Sequence, residues 1–295
     1  MEQNHRGAYK LNIAPACVEC IVNQAERVAS TLHVDPNTAD KLIETAKAMS
    51  KNFSFSKTPP EVATPVYEAM AKILHKEDIY EEIKALSTKK ALSLLPSLQK
   101  RLEESEDLFT TSLKIAVAGN VIDLASEMRF DLDEELAKIF DTDFAIDDSK
   151  KLKTLLEKSD NVVVLGDNAG EHVFDKLFIQ TLQQLYPNIK FYYFVRGKPI
   201  INDVTLKEAK EIGFDEVCDV IDSGVDTPGF VYKRANKQAR ELFDRADVVI
   251  SKGMGNYECL TPSHKSPIAF LLKVKCNVVA ESLNQNTGDI ICKII

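Results

Sequence analysis

The chain has 295 residues, of which 44% are hydrophobic, so two domains or one large one with a sizeable core can form. Its formal net charge of −8 argues against a nucleic-acid or anionic-membrane partner, because binding a phosphate backbone requires a basic surface. No apolar run approaches the ~20 residues of a membrane span. Residues 1–10 are polar and lack the apolar core of a secretory signal, so a cytoplasmic protein with reduced cysteines is expected.

From Cys17 to about Gly119 apolar residues recur at helical spacing and no strand is read. A first helix carries Cys17, Cys20, Ile21 and Val28 and ends near Leu32. Asp35-Pro36, an N-cap followed by proline at the first helical position, starts a second. A third runs from about Pro60 to Leu74, and a fourth from Ile79 to Leu102 with Pro96 as a kink or break. The span from Glu106 to Met128 is helical and contains Gly119-Asn120-Val121-Ile122-Asp123, with Asn120 and Asp123 on one face. Residues 129–160 hold the acidic run Asp131 to Glu135 and read as solvated helix and loop. Cys17-x-x-Cys20 is a lone pair: it lacks the second pair of a structural zinc site, and buried packing is its first reading.

From Asn161 strands alternate with helices. Strands are expected at 161–166, 189–195, 217–221, 247–251 and 277–281, with an edge strand at 289–294, and helices near 170–186, 203–212, 229–245 and 265–274. The spacing implies right-handed crossovers. The fold class is therefore α/β: a mostly parallel sheet with helices on both faces, plus an all-helical N-terminal region. The expected division is a helical region over 1–128, a connecting segment over 129–160 and an α/β domain over 161–295.

Ligands of open α/β sheets bind beyond the carboxyl ends of the strands. The turns there are Gly166-Asp167-Asn168-Ala169-Gly170-Glu171, Arg196 to Asp203, Asp222 to Gly229, Ser251 to Glu258, and Glu281-Ser282. They are rich in Gly, Asp, Asn and Ser, whereas the turns at the opposite edge are shorter or plainer. Asp167, Asn168 and Glu171 are oxygen donors of the kind hard cations prefer, although Asp and Asn also shape turns and cap helices. Carboxylates gathered at Asp167 and Asp203 repel one another unless a cation neutralises them. Lys252 and the glycine-rich backbone beside it can hold an anion. Metal-assisted phosphoryl chemistry follows from that pairing. The glycine fingerprints of dinucleotide and P-loop sites are absent, as are H-E-x-x-H and G-x-S-x-G. Among the histidines only His172 lies near a site turn, where it reads as a helix-start residue.

In these turns the chain resembles the damage-control phosphatases, the metal-dependent family first catalogued as domain of unknown function 89. Gly119-Asn120 with Ile122-Asp123, Gly166 to Glu171, Arg196-Gly197-Lys198-Pro199 with Asn202-Asp203, Ser223-Gly224 with Asp226 and Pro228-Gly229, and Lys252-Gly253 with Gly255-Asn256 carry the likeness in order along nearly the whole chain. Cys17-x-x-Cys20 is similar to the stand-alone prokaryotic subgroup. The resemblance implies hydrolysis of phosphate monoesters of small metabolites, with a divalent cation (Mg²⁺, Mn²⁺, Co²⁺ or Ni²⁺) as cofactor. It implies Asp167, Asn168 and Asp203 as metal ligands and, with Lys252, as catalytic residues. Substrate contacts are implied at Asn120, Asp123, Glu171, Arg196, Ser223, Gly224, Gly253 and Asn256. The alternatives are an S-adenosylmethionine-dependent carboxyl methyltransferase on a similar sheet and a non-catalytic metal- or metabolite-binding module.

Overall fold

The computed structural model describes residues 11–121, 138–260 and 266–295, with the side chains of Asn120 and Val121 excepted. Residues 1–10 of the polar lead-in expected over 1–13, the acidic run Asp131 to Glu135, and Asp123 fall outside the described residues.

Five helices come first: α1 (Pro15–Thr31), α2 (Pro36–Ser50), α3 (Pro59–Leu74), α4 (Glu81–Glu103) and α5 (Leu108–Val121). Their starts follow local chemistry. The Asp35 carboxylate caps Asn37 and Thr38 with Pro36 at the first position, as the sequence implies. Thr58 and Glu61 form a reciprocal capping box at α3. Helix α4 continues through Pro96 as a single element. Helices α1 to α3 bury one another's apolar stripes around Ile21, Val28, Leu42, Val66 and Met70.

The sheet contains β1 (Ile146–Asp147), β2 (Asn161–Leu165), β3 (Lys190–Val195), β4 (Asp219–Asp222), β5 (Val248–Lys252), β6 (Ile268–Lys273) and β7 (Ile290–Ile294). Their order is β1-β7-β6-β5-β2-β3-β4. Strands β2 to β6 run parallel, while β7 is antiparallel to β6 and carries β1 alongside it. Helices cover both faces, as expected of a sheet whose central strands are apolar throughout. On one face Val162 and Val164 meet α5 and two further helices, α6 (Ser149–Leu156) and α7 (Glu171–Leu185). On the other, Val163 and Leu165 meet α9 (Lys237–Arg245), α10 (Gly253–Cys259) and α11 (Asn277–Leu283). Between β3 and β4 lies the short α8 (Leu206–Glu211).

Three sequence readings change. The helix expected near 265–274 is strand β6, and the strand expected at 277–281 is helix α11. Short apolar runs do not distinguish a buried strand from a buried helix. Ile-Ala-Phe-Leu-Leu is buried on both faces between β5 and β7, whereas Val278-Val279 is followed by polar residues and an Asn284 cap at φ 54°. Glu281-Ser282 consequently sits within α11 and is not a turn at the sheet edge. The 129–160 segment is more than solvated connection: Phe144, Leu152 and Leu156 enter the core and Ile146–Asp147 pairs with β7.

The chain leaves β2 towards β3 and β4 on one side, then returns to place β5 on the other. That reversal opens a crevice between the turns after β2 and β5. Because Phe270 is fully buried in β6 and packs edge-on against Tyr257, Phe270→Ala should cost about 3–5 kcal/mol in urea unfolding. A loss within the error of a surface substitution would contradict the buried strand.

Candidate functional site

The turns after β2 and β3 are laced together by their backbones. Asn168 and Asp203 form an isolated antiparallel bridge. Ala169 N–H donates to Asn202 C=O at 2.8 Å and Val204 N–H to Asp167 C=O at 2.9 Å. Asp167, Asn168 and Asp203, distant in sequence, therefore sit side by side. Ile201, two residues before Asp203, has φ 46°, a left-handed conformation that a β-branched residue rarely takes.

Side chains fix the same junction. Arg196, buried at the end of β3, donates Nε to Asp203 Oδ2 at 2.6 Å and Nη2 to Asn256 Oδ1 at 3.1 Å. Asn168 Nδ2 donates to Asp167 Oδ2 at 3.2 Å and to Glu171 Oε1 at 2.8 Å. Asn256 is a tie rather than an open group: its oxygen also accepts Phe230 N–H, and its nitrogen donates to the carbonyls of Gly166 and Lys252. Lys252 is fully buried and its ammonium pairs with Asp175, whose other oxygen accepts Tyr193 Oη at 2.9 Å.

Two glycines make the crevice possible. A Cβ on Gly166 would lie 2.5 Å from Tyr193 Oη. One on Gly253, at φ 75°, would lie 1.9 Å from Asp167 Oδ2. The β5 turn is thus pressed against the Asp167 carboxylate. At the far side Gly119 of α5 packs on Glu171, with its would-be Cβ 3.1 Å from the Glu171 Cα. This brings the α5 end that carries Asn120 to the site, although the Asn120 side chain and Asp123 are outside the described residues.

Ser223 and Gly224 are used internally. The Ser223 hydroxyl donates to Val195 C=O at 2.6 Å, and Gly224 N–H donates to Asp222 Oδ1. Cys17 packs in the α1–α3 core, while Cys20 is exposed; both are free thiols. His172 is fully buried: Nδ1 accepts Gly170 N–H and Nε2 reaches Glu208 C=O. Burial pushes its pKa down to about 4, so it is neutral. The sequence reading missed Asp175, Tyr193 and Glu208. Asp175 carried a signal, since it is four residues after Glu171 and flanked by Val173, Phe174, Leu177 and Phe178 on a buried helix.

The electrostatics define what the site can hold. Burial, then the charges of Glu171 and Asp203, push the Asp167 carboxyl well above its usual range. Burial raises Asp203 to about 6 even with Arg196 beside it. For Lys252, burial alone would lower the pKa, but Asp175, Glu171 and Asp167 outweigh it and hold the amine charged. Asp167, Glu171, Asp175 and Asp203 are thus set against Arg196 and Lys252, with Lys275 acting more weakly on Asp167. The raised Asp167 and Asp203 carboxyls mean that these cations do not offset the burial of the acids; an added cation would favour their ionised forms. Among the described residues no three His, Cys, Asp or Glu side chains converge as a metal cluster. The set that fits a hard cation is two carboxylates and a carboxamide, Asp167, Asn168 and Asp203, with coordination completed by water or substrate oxygens.

Comparison with known proteins places this geometry in context. A sequence model of the damage-control phosphatase ARMT1-like domain matches residues 13–291. The chain is 31% identical to damage-control phosphatase PH1575 of Pyrococcus horikoshii over 278 residues, 94% of this chain and 96% of that one. It is 31% identical to a damage-control phosphatase of Archaeoglobus fulgidus over 291 residues, 97% and 100% of the two chains. A crystal structure of a DUF89 family protein from Pyrococcus horikoshii superposes with a TM-score of 0.87 at 30% identity, covering 95% of this chain and 98% of that one.

The raised Asp203 pKa sets a pH dependence. Its folded value of about 6 exceeds the ~4 of an unfolded Asp, so its contribution to stability falls as pH rises between the two. A cation held by the ionised form would reverse that loss. The Mn²⁺-induced rise in Tm of metal-stripped protein should therefore be larger at about pH 7.5 than at about pH 5. An equal or larger rise at the lower pH would remove the buried carboxylates from the cation site.

Proposed function

The chain belongs to the damage-control phosphatase ARMT1-like family, and from that premise we propose that it is a divalent-metal-dependent phosphatase acting on phosphate monoesters of small metabolites such as sugar phosphates and nucleotides. The observation that supports this most is the junction of Asp167, Asn168 and Asp203 at the switch-point crevice, buried and short of positive charge. Mg²⁺, Mn²⁺, Co²⁺ and Ni²⁺ all suit that donor set. Bound there, such an ion supplies Lewis-acid chemistry, withdrawing charge from a phosphate oxygen.

The protein's own groups do the rest. Arg196 holds Asp203 in one orientation, and Glu171 holds the Asn168 amide. Lys252 keeps a positive charge at the foot of the crevice, where it offsets the charge of the phosphoryl group above it. Glu171 orients an attacking water and accepts its proton. Water is favoured over attack by Asp167 because Ala169 stands two residues on, where aspartyl-phosphate enzymes often carry a general acid. Arg196, Asn256, Ser223 and Gly224 serve by shaping the turns. A cavity of about 690 Å³ between α3 and the 198–201 turn is lined by Tyr67, Lys72, His75 and Lys198 among others, and none of Asp167, Asn168, Glu171, Asp203 or Lys252 lines it.

Metal-stripped protein given each of the four metals should release inorganic phosphate from a panel of sugar phosphates and nucleotides. Asp203→Asn, which preserves an oxygen for Arg196, should lower that release by roughly a hundredfold or more. Release at the wild-type rate would displace Asp203 from the site. No release with any metal, from protein that binds one, would replace the phosphatase with a binding module.

A further inference from the structure

Among the described residues, three ion pairs join the helical region to the turn after β3 and helix α8: Lys198–Glu68, Lys207–Glu81 and Lys84–Glu208. The first two are about half exposed and, like most surface pairs, contribute little. The third is buried, with side chains 1% and 5% exposed. Lys84 Nζ, in the first turn of α4, lies 2.5 Å from Asp78 Oδ2 and 2.7 Å from Glu208 Oε1.

Glu208 is where this contact reaches the site. Its Oε2 accepts Thr205 N–H at 2.8 Å and the Thr205 hydroxyl at 2.6 Å, forming the capping box of α8. Thr205 is bridged by backbone to Arg196, and Arg196 grips Asp203 two residues earlier. The Glu208 carbonyl faces His172 Nε2 at 3.1 Å, and His172 Nδ1 accepts Gly170 N–H at 2.9 Å. Glu208 thus touches the helical region and the Asp203 turn directly, and reaches the turn after β2 through His172.

We propose that Lys84 is a positioning residue for the metal site: by neutralising Asp78 and Glu208 together, it locks the Thr205 capping box and so sets Asp203 against Asn168. A seam between helices needs no buried ammonium; α1 to α3 close theirs with apolar side chains. Without Lys84, the buried Glu208 carboxylate and the partly buried Asp78 carboxylate are left without their shared cation and repel. Glu208 then leaves Thr205, and the Asp203 turn loosens although every ligand is still present. The inference rests on the phosphatase reading only for its activity readout; metal binding and backbone protection report on it independently.

The test uses the full chain, metal-stripped, as Lys84→Met and Glu208→Gln. Mn²⁺ needed for half-maximal thermal stabilisation should rise about ten- to a hundredfold, the usual cost of losing an outer support of a metal ligand. Amide exchange over residues 198–208 of the metal-free protein should quicken while β2 and β5 stay protected. At saturating Mn²⁺, kcat should return to within a few-fold of wild type. Lys207→Ala, which removes an exposed pair on the same seam, should leave all three readouts at wild-type values. A folded Lys84→Met protein with a lower Tm but unchanged Mn²⁺ requirement and unchanged exchange over 198–208 would overturn the proposal and leave Lys84 a purely structural contact. Should Lys84→Met fail to fold, Glu208→Gln decides on the same readouts. Should wild type bind Mn²⁺ yet release no phosphate, the phosphatase reading falls and the binding and exchange readouts still judge Lys84.

Discussion

Buried negative charge at the crevice between β2 and β5 is the constraint on which the rest of the structure depends. Asp167, Glu171 and Asp203 are each less than a tenth exposed and lie within reach of one another's charge. Burial of ionised carboxylates is costly unless they are paired. The fold answers with two internal cations, Arg196 on Asp203 and Lys252 on Asp175, and with hydrogen bonds donated by the Asn168 side-chain amide. The charge that these groups leave uncompensated is what the proposed divalent cation would offset.

Topology decides why these groups meet. The chain reverses direction across the sheet after β4, so the turns after β2 and β5 bracket a crevice no helix crossover fills. The turn after β3 folds back onto it through the Asn168–Asp203 bridge. Gly253 then lets the β5 turn close against Asp167, a contact that any side chain would block. The helical region is not an appendage to this arrangement. Helix α5 buries Phe109, Leu113 and Val117 in the same core as the sheet, and α4 reaches the Asp203 turn through Lys84 and Glu208.

Much of this was legible in the sequence, and the limits have physical causes. The strand into Gly166-Asp167-Asn168 was readable because three β-branched residues run straight into turn-formers. The helix starts at Asp35-Pro36 and near Pro60 were readable because caps are local chemistry. Local chemistry fails where burial decides. Ile268–Leu272 and Val278–Val279 are both short apolar runs, and only the neighbours β5 and β7 make the first a strand. Lys252 read as a cation beside a glycine turn, but its partner Asp175 lies on a helix seventy-seven residues away, and spacing carries no trace of that pair. Arg196 and Asn256 read as groups facing a substrate; the structure also ties both into the turns, a bonding that spacing does not reveal.

The most direct measurement is anomalous diffraction from crystals soaked in Mn²⁺. The account predicts one strong peak per chain, bounded by carboxylate oxygens of Asp167 and Asp203 and the carboxamide oxygen of Asn168, whose nitrogen stays on Glu171. A peak at Cys17 and Cys20, or no peak at the crevice at saturating Mn²⁺, would contradict it.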